Sequence, residues 1–218
     1  MLKKIISLSL AVFLWSVVIL TPKSYALVVL DQSFTETGTS GLGWVINAAF
    51  PYIAQTFTAG VTGQLAGINV NVDGGPINPP FHNLNLSIHD VQQGLPTFNI
   101  LGDTTLNTNL APLSLFVSFN ENIPIVSGKQ YAIVASYPDA PASPMGDGVW
   151  EGVVDVDYSA GGIYYSDGLT WNRYTDRGDL HFRTFVDTSS SAVPEPATVL
   201  LLSSGLLGMF FRRKFLAA

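Results

Sequence analysis

Residues 27–187 of this 218-residue chain predict an all-β domain, an antiparallel two-sheet sandwich of jelly-roll kind. Three observations carry that expectation. Apolar and polar residues alternate, as in a strand with one buried face: Ile68, Val70 and Val72 against Asn69, Asn71 and Asp73, then Leu84, Leu86 and Ile88 against Asn85, Ser87 and His89. Glycine and proline turns recur about every ten residues, the spacing of short strands in an all-β fold. No body segment longer than a turn has the period of about 3.6 that marks an amphipathic helix. An immunoglobulin-like sandwich or a closed barrel is the alternative arrangement of the same strands.

The first 26 residues stand apart from this domain. Lys3 and Lys4 precede an uncharged apolar run over residues 5–20, and Ser24-Tyr25-Ala26 supplies the small residues that signal peptidase needs, so cleavage is expected after Ala26. An uncleaved N-terminal anchor is the alternative. Strands are then expected at 28–34, 54–57, 68–72, 84–88, 113–119, 130–136, 149–155, 162–165 and 180–186. Gly38-Thr39-Ser40-Gly41-Leu42-Gly43 lacks the Lys and following helix of a phosphate loop and reads as a mobile turn. Between 73 and 80 the glycines permit positive φ and the prolines remove ladder donors, which a central strand does not tolerate. The expected core is Phe57, Ile68, Val70, Leu84, Leu86, Ile88, Phe116, Ile133, Ala135, Phe182 and one face of 149–153. Residues 188–193 form a Ser-rich spacer too polar to order itself.

Residues 194–218 have their own logic. Val193-Pro194-Glu195-Pro196 is followed by fifteen uncharged residues, 197–211, and then by Arg212, Arg213 and Lys214. As a helix, at about 1.5 Å per residue, the apolar run spans roughly 22 Å, short of a hydrocarbon core of about 30 Å, which makes it a marginal membrane anchor. The basic cluster favours the cytoplasmic side, leaving the two prolines extended at the outer face, where a processing enzyme can grip them. This order of linker, Pro-Glu-Pro, short apolar helix and basic tail resembles the PEP-CTERM sorting signal of Gram-negative surface proteins. The resemblance implies cleavage by an exosortase near Pro194, Glu195 and Pro196; a plain anchor that is never cut is the alternative. The body resembles the choice-of-anchor β-sandwich domains of bacterial surface proteins. That likeness rests on Ala54-Gln55-Thr56-Phe57-Thr58-Ala59-Gly60, on residues 84–90 followed by Gly94-Leu95-Pro96, and on Val126-Ser127-Gly128-Lys129-Gln130-Tyr131-Ala132-Ile133-Val134. It implies surface display and no enzymatic activity.

Composition narrows the chemistry. The chain has no cysteine, so disulfides, thiolate metal sites and thiol nucleophiles are excluded. Within 27–187 four basic residues, Lys129, Arg173, Arg177 and Arg183, face fifteen Asp and Glu, a net charge of −11 that argues against nucleic acid as partner. The histidines His82, His89 and His181 have no companion in sequence, no G-x-S-x-G elbow is present, and His181 reads as a surface-facing strand residue opposite Leu180 and Phe182. The stretch 147–179 concentrates Asp and Gly. Asp147, Asp155 and Asp157 are its candidate Ca²⁺ ligands, against the alternative of a solvated acidic rim. The same stretch holds Trp150, Tyr158, Tyr164, Tyr165, Trp171 and Tyr174, most of them expected in the core, with Trp150 and Trp171 the candidates for stacking on a sugar ring. The functional expectation is an exported, non-catalytic surface or matrix protein associated with exopolysaccharide, meeting signal peptidase and exosortase during processing and the membrane through 197–211. A secreted polysaccharide hydrolase using a carboxylate pair is the alternative.

Overall fold

The computed structural model describes residues 27–189 apart from 36–38, 48, 74–82, 108–112, 138–147, 155 and 176–177. Among these the chain forms strands and turns: β1 (Val28–Phe34), β2 (Thr39–Ile46), β3 (Tyr52–Thr58), β4 (Gly63–Asp73), β5 (Asn83–Gln92), β6 (Leu95–Asn107), β7 (Leu113–Val117), β8 (Pro124–Ile125), β9 (Gln130–Ser136), β10 (Gly148–Val154), β11 (Gly162–Ser166), β12 (Trp171–Arg173) and β13 (Phe182–Asp187). They assemble into two antiparallel sheets. In the first, of seven strands, the order is β1-β13-β4-β10-β2, and β7 and β8 pair with β4. Long β4 reaches past the end of β13, so the same edge of β4 that bonds β13 through Val70 goes on to bond β10 through Val72. The second sheet, of six strands, runs β12-β11-β3-β9-β5-β6.

Alternation along each strand sends one face inward, and the two inner faces share one core. Ile68, Val70, Val72, Trp150 and Phe182 of the first sheet cluster with Phe57, Leu84, Leu86, Ile88, Ile133 and Ala135 of the second, which makes the pair a sandwich. The expected all-β antiparallel architecture is therefore what the chain adopts. All the named core residues are enclosed except Phe116, which is 59% exposed. The pairing of β7 settles its direction. Val117 lies opposite Ile68 and Leu115 opposite Val70, both buried, so Phe116 between them must point outward. Its ring lies against Gly67 and meets Phe185 edge-on at 5.5 Å.

Two stretches differ from the sequence reading. The glycine-rich run at 38–43, expected to be a mobile turn, contributes to β2 from Thr39 onward, because the whole strand pairs with β10 in a register that sets Trp44 opposite Trp150. Residues 95–107, without a strand expectation, form the edge strand β6. The β5–β6 turn is the two-residue kind that needs positive φ twice, met at Gln93 (52°) and Gly94 (78°). Towards its tip this hairpin covers part of the outer face of the second sheet. His89 is buried there, its Nδ1 donating to the Thr97 carbonyl at 2.7 Å while Nε2 accepts from the Ser87 hydroxyl at 2.8 Å. Burial holds its pKa below the ordinary histidine value, so it is neutral at physiological pH.

Candidate functional site

A cleft of about 420 Å³ opens beside β11 and β12, within the size range of small-ligand sites. Glycines shape it from both sides. A Cβ at Gly161 would run into the Thr56 carbonyl, and one at Gly178 into the carbonyls of Val153 and Val156, so neither position accepts a side chain. At Gly162 the missing Cβ leaves room for the Arg173 guanidinium, which crosses above it at 3.2 Å from where that atom would be. Strand β12 fixes the origin of Arg173 by pairing it with Tyr164, and the backbone N–H of Tyr174 continues the ladder to the Ile163 carbonyl at 3.0 Å.

Asp179 contributes a buried carboxylate to the cleft. Its Oδ1 accepts from Gln55 Nε2 at 2.8 Å and its Oδ2 from the Tyr158 backbone N–H at 2.7 Å. Gln55, itself fully buried on β3, uses its Oε1 to accept the Leu180 N–H at 2.9 Å. Burial pushes the Asp179 pKa up, and the nearby Asp157 carboxylate pushes the same way; the hydrogen bonds from Gln55 and Tyr158 and the charge of Arg173 oppose them. Beyond Asp179, the Tyr158 hydroxyl donates to Gln32 Oε1 at 2.6 Å. Burial, with the charges of Asp31 and Asp179, pushes that phenol up to about 12. Asp157 and Arg173 are exposed, Ser159 and Thr175 add hydroxyls to the lining, and Arg173 makes no ion pair among the described residues.

The aromatic residues of this stretch mostly serve packing, as expected. Trp150 is fully enclosed and its Nε1 donates to the His181 carbonyl at 2.9 Å. It has no free face, which corrects the expectation that it stacks on a sugar. Trp171 is half-buried, stacked on Phe98 at 5.5 Å with Tyr52 and His89 against it, so the exposed ring of that group is Phe98, 45% exposed. His181 stands just before β13 and is half-buried, its ring 6.2 Å from that of Phe34. Of the candidate calcium ligands, Asp157 lines the cleft, whereas Asp147 and Asp155 lie outside the described residues. Among the described residues no group of three or more His, Asp or Glu stands close enough to hold a metal ion. Sequence reading flagged the acidic stretch but missed Arg173 and Gln55. The signal for Gln55 is weak because its partner Asp179 is 124 residues away.

The processing residues Ala26, Pro194, Glu195, Pro196, Arg212, Arg213 and Lys214, and the apolar run 197–211, lie outside the described residues. Among those described, no helix is long and apolar enough to cross a membrane. A search of curated proteins finds no match to the chain. Residues 192–214 do match the family model for the PEP-CTERM protein-sorting motif, a span that takes in Pro-Glu-Pro, the apolar run and the basic cluster. The chain therefore carries a PEP-CTERM sorting motif, which implies export, processing by an exosortase and sorting to the cell surface.

Proposed function

We propose that the protein is a non-catalytic component of the cell surface or extracellular matrix, held briefly in the inner membrane by residues 197–211, released by exosortase and then associated with exopolysaccharide. The observation that carries this reading is the sorting motif at 192–214. Support for a display role comes from the cysteine-free acidic body and its likeness to choice-of-anchor sandwich domains. Calcium at Asp147, Asp155 and Asp157 belongs to the same proposal, supported by the density of hard oxygen ligands on glycine-rich turns. The unfolding midpoint should rise with calcium relative to chelator, and an unchanged midpoint removes the ion.

One observation favours a second reading, a polysaccharide hydrolase. Asp157 and Asp179 share the cleft, one exposed and the other with a raised pKa, the asymmetry that an acid and its partner carboxylate need. Against it stand the two internal donors to Asp179, which favour its charged form over the protonated form that a general acid needs. Fractionation of cells expressing the parent and a chain lacking residues 194–218 tests the main reading. The parent should co-extract with exopolysaccharide and release no reducing ends, and the truncated chain should lose its surface location. Sugar release that disappears in Asp157→Asn establishes the hydrolase instead.

A further inference from the structure

We propose that the cleft beside β11 and β12 binds one neutral glycosyl residue of the exopolysaccharide, gripping a pair of adjacent hydroxyls between Arg173 and the carboxylates of Asp157 and Asp179. This rests on the exopolysaccharide association proposed above and names the site and the sugar class.

The ligand class follows from what the cleft's groups demand. A guanidinium only donates hydrogen bonds and a carboxylate only accepts them, so a ligand that satisfies both must accept and donate from neighbouring atoms. Hydroxyl pairs do this without carrying charge. An anionic ligand would meet Asp157 and Asp179 within a body of net charge −11, and a cationic one would meet Arg173, whose guanidinium has no ion-pair partner among the described residues. Asp179 has capacity to spare, since among the described residues each of its oxygens accepts a single hydrogen bond and a carboxylate has about four acceptor positions. Those two internal bonds also fix its orientation, so the carboxylate needs no reordering when a ligand arrives. Ser159 supplies a further hydroxyl partner, and the volume of about 420 Å³ admits a ring of this size.

The test uses the mature protein extracted from the cell surface, passed over immobilised dextran, galactomannan and alginate at one ionic strength. Retention is expected on at least one neutral glycan and to be weaker on anionic alginate. Arg173→Ala and Asp157→Asn, both at exposed positions, should each weaken binding at least about tenfold with the unfolding midpoint unchanged, as loss of charge-assisted hydrogen bonds predicts. Phe116→Ala, on the outer face of the other sheet, should bind as the parent does. Equal binding by parent and cleft variants overturns the site while leaving the association intact, and preference for alginate overturns the neutral class. A parent that binds none of the three, nor the exopolysaccharide with which it is produced, overturns the association and the site with it.

Discussion

Asp179 shows how one residue ties sequence-distant parts of the domain together. Two donors face its carboxylate, Gln55 Nε2 and the Tyr158 N–H, and Gln55 cannot turn its amide over without losing the Leu180 N–H. In Asp179→Asn the new NH₂ must therefore confront one of those donors. The variant should be about 1–3 kcal/mol less stable in urea unfolding at acidic pH, the range for a buried polar group left unpaired. The pH dependence has a definite sign. Because burial raises the folded-state pKa of Asp179 above its unfolded value, the native state holds this proton more tightly. Its stabilisation is full below the unfolded value of about 3.9 and is lost as pH rises through the raised value. The gap between parent and variant should thus narrow from about pH 4 upward, and a gap that widens would mean that Asp179 is held in its charged form. Tyr158 behaves alike at the alkaline end: its phenol, raised to about 12, contributes stability up to about pH 10 that is lost as pH climbs through 12. Phenolate absorbance and unfolding should therefore appear together there.

At the level of strands, legibility followed how cleanly the alternation ran. Gln130–Ser136 was readable instead as a short, nearly continuous apolar run, buried on both faces, and β4 and β5 declared their inner faces through Ile68, Val70, Leu84, Leu86 and Ile88. Strand β6 was hidden for a physical reason. Its pairing with β5 shifts register between Ile88 and His89 and again between His89 and Val91, so parity changes along the hairpin. Pro96 lies near the start of an edge strand, a place where a missing N–H is tolerated. Strand β2 was hidden by its glycines, although Trp44 and Ile46 reach the core. Cleft geometry was less readable than either, because Arg173 and Asp179 meet only through the pairing of β11 with β12 and the Gln55 contact. Phe116 offers a test at this scale. Phe57→Ala, inside the sandwich, should cost about 3–5 kcal/mol, and Phe116→Ala, on the outer face, under about 1.5 kcal/mol by its exposure. Equal losses in urea unfolding would return Phe116 to the core. Gly67→Ala should destabilise even when combined with Phe116→Ala: its Cβ would lie 2.7 Å from the Val117 carbonyl as well as 2.5 Å from the Phe116 ring, and the carbonyl is held in the ladder.

Across the whole domain, the first strand pairs with the last. β1 lies along β13 from Val28 opposite Asp187 to Phe34 opposite Phe182, and the Leu27 carbonyl accepts both the N–H and the hydroxyl of Thr188, at 3.1 and 3.2 Å. The expected cut after Ala26 and the spacer that leads to Pro194 therefore leave the domain beside one another, at one end of a single strand pair. Such a pairing closes only after the whole body has been exported, since contacts this distant in sequence form after the local ones. A chain stopped before Phe182 should stay sensitive to protease for that reason. The proposed surface role depends on the ends being read by processing enzymes and then lost. The direct measurement is the intact mass of the protein extracted from the cell surface. The mature chain should start at Leu27 and stop near Pro194-Glu195-Pro196, without the apolar run or Arg212, Arg213 and Lys214; a mass that extends to Ala218 would overturn the processing.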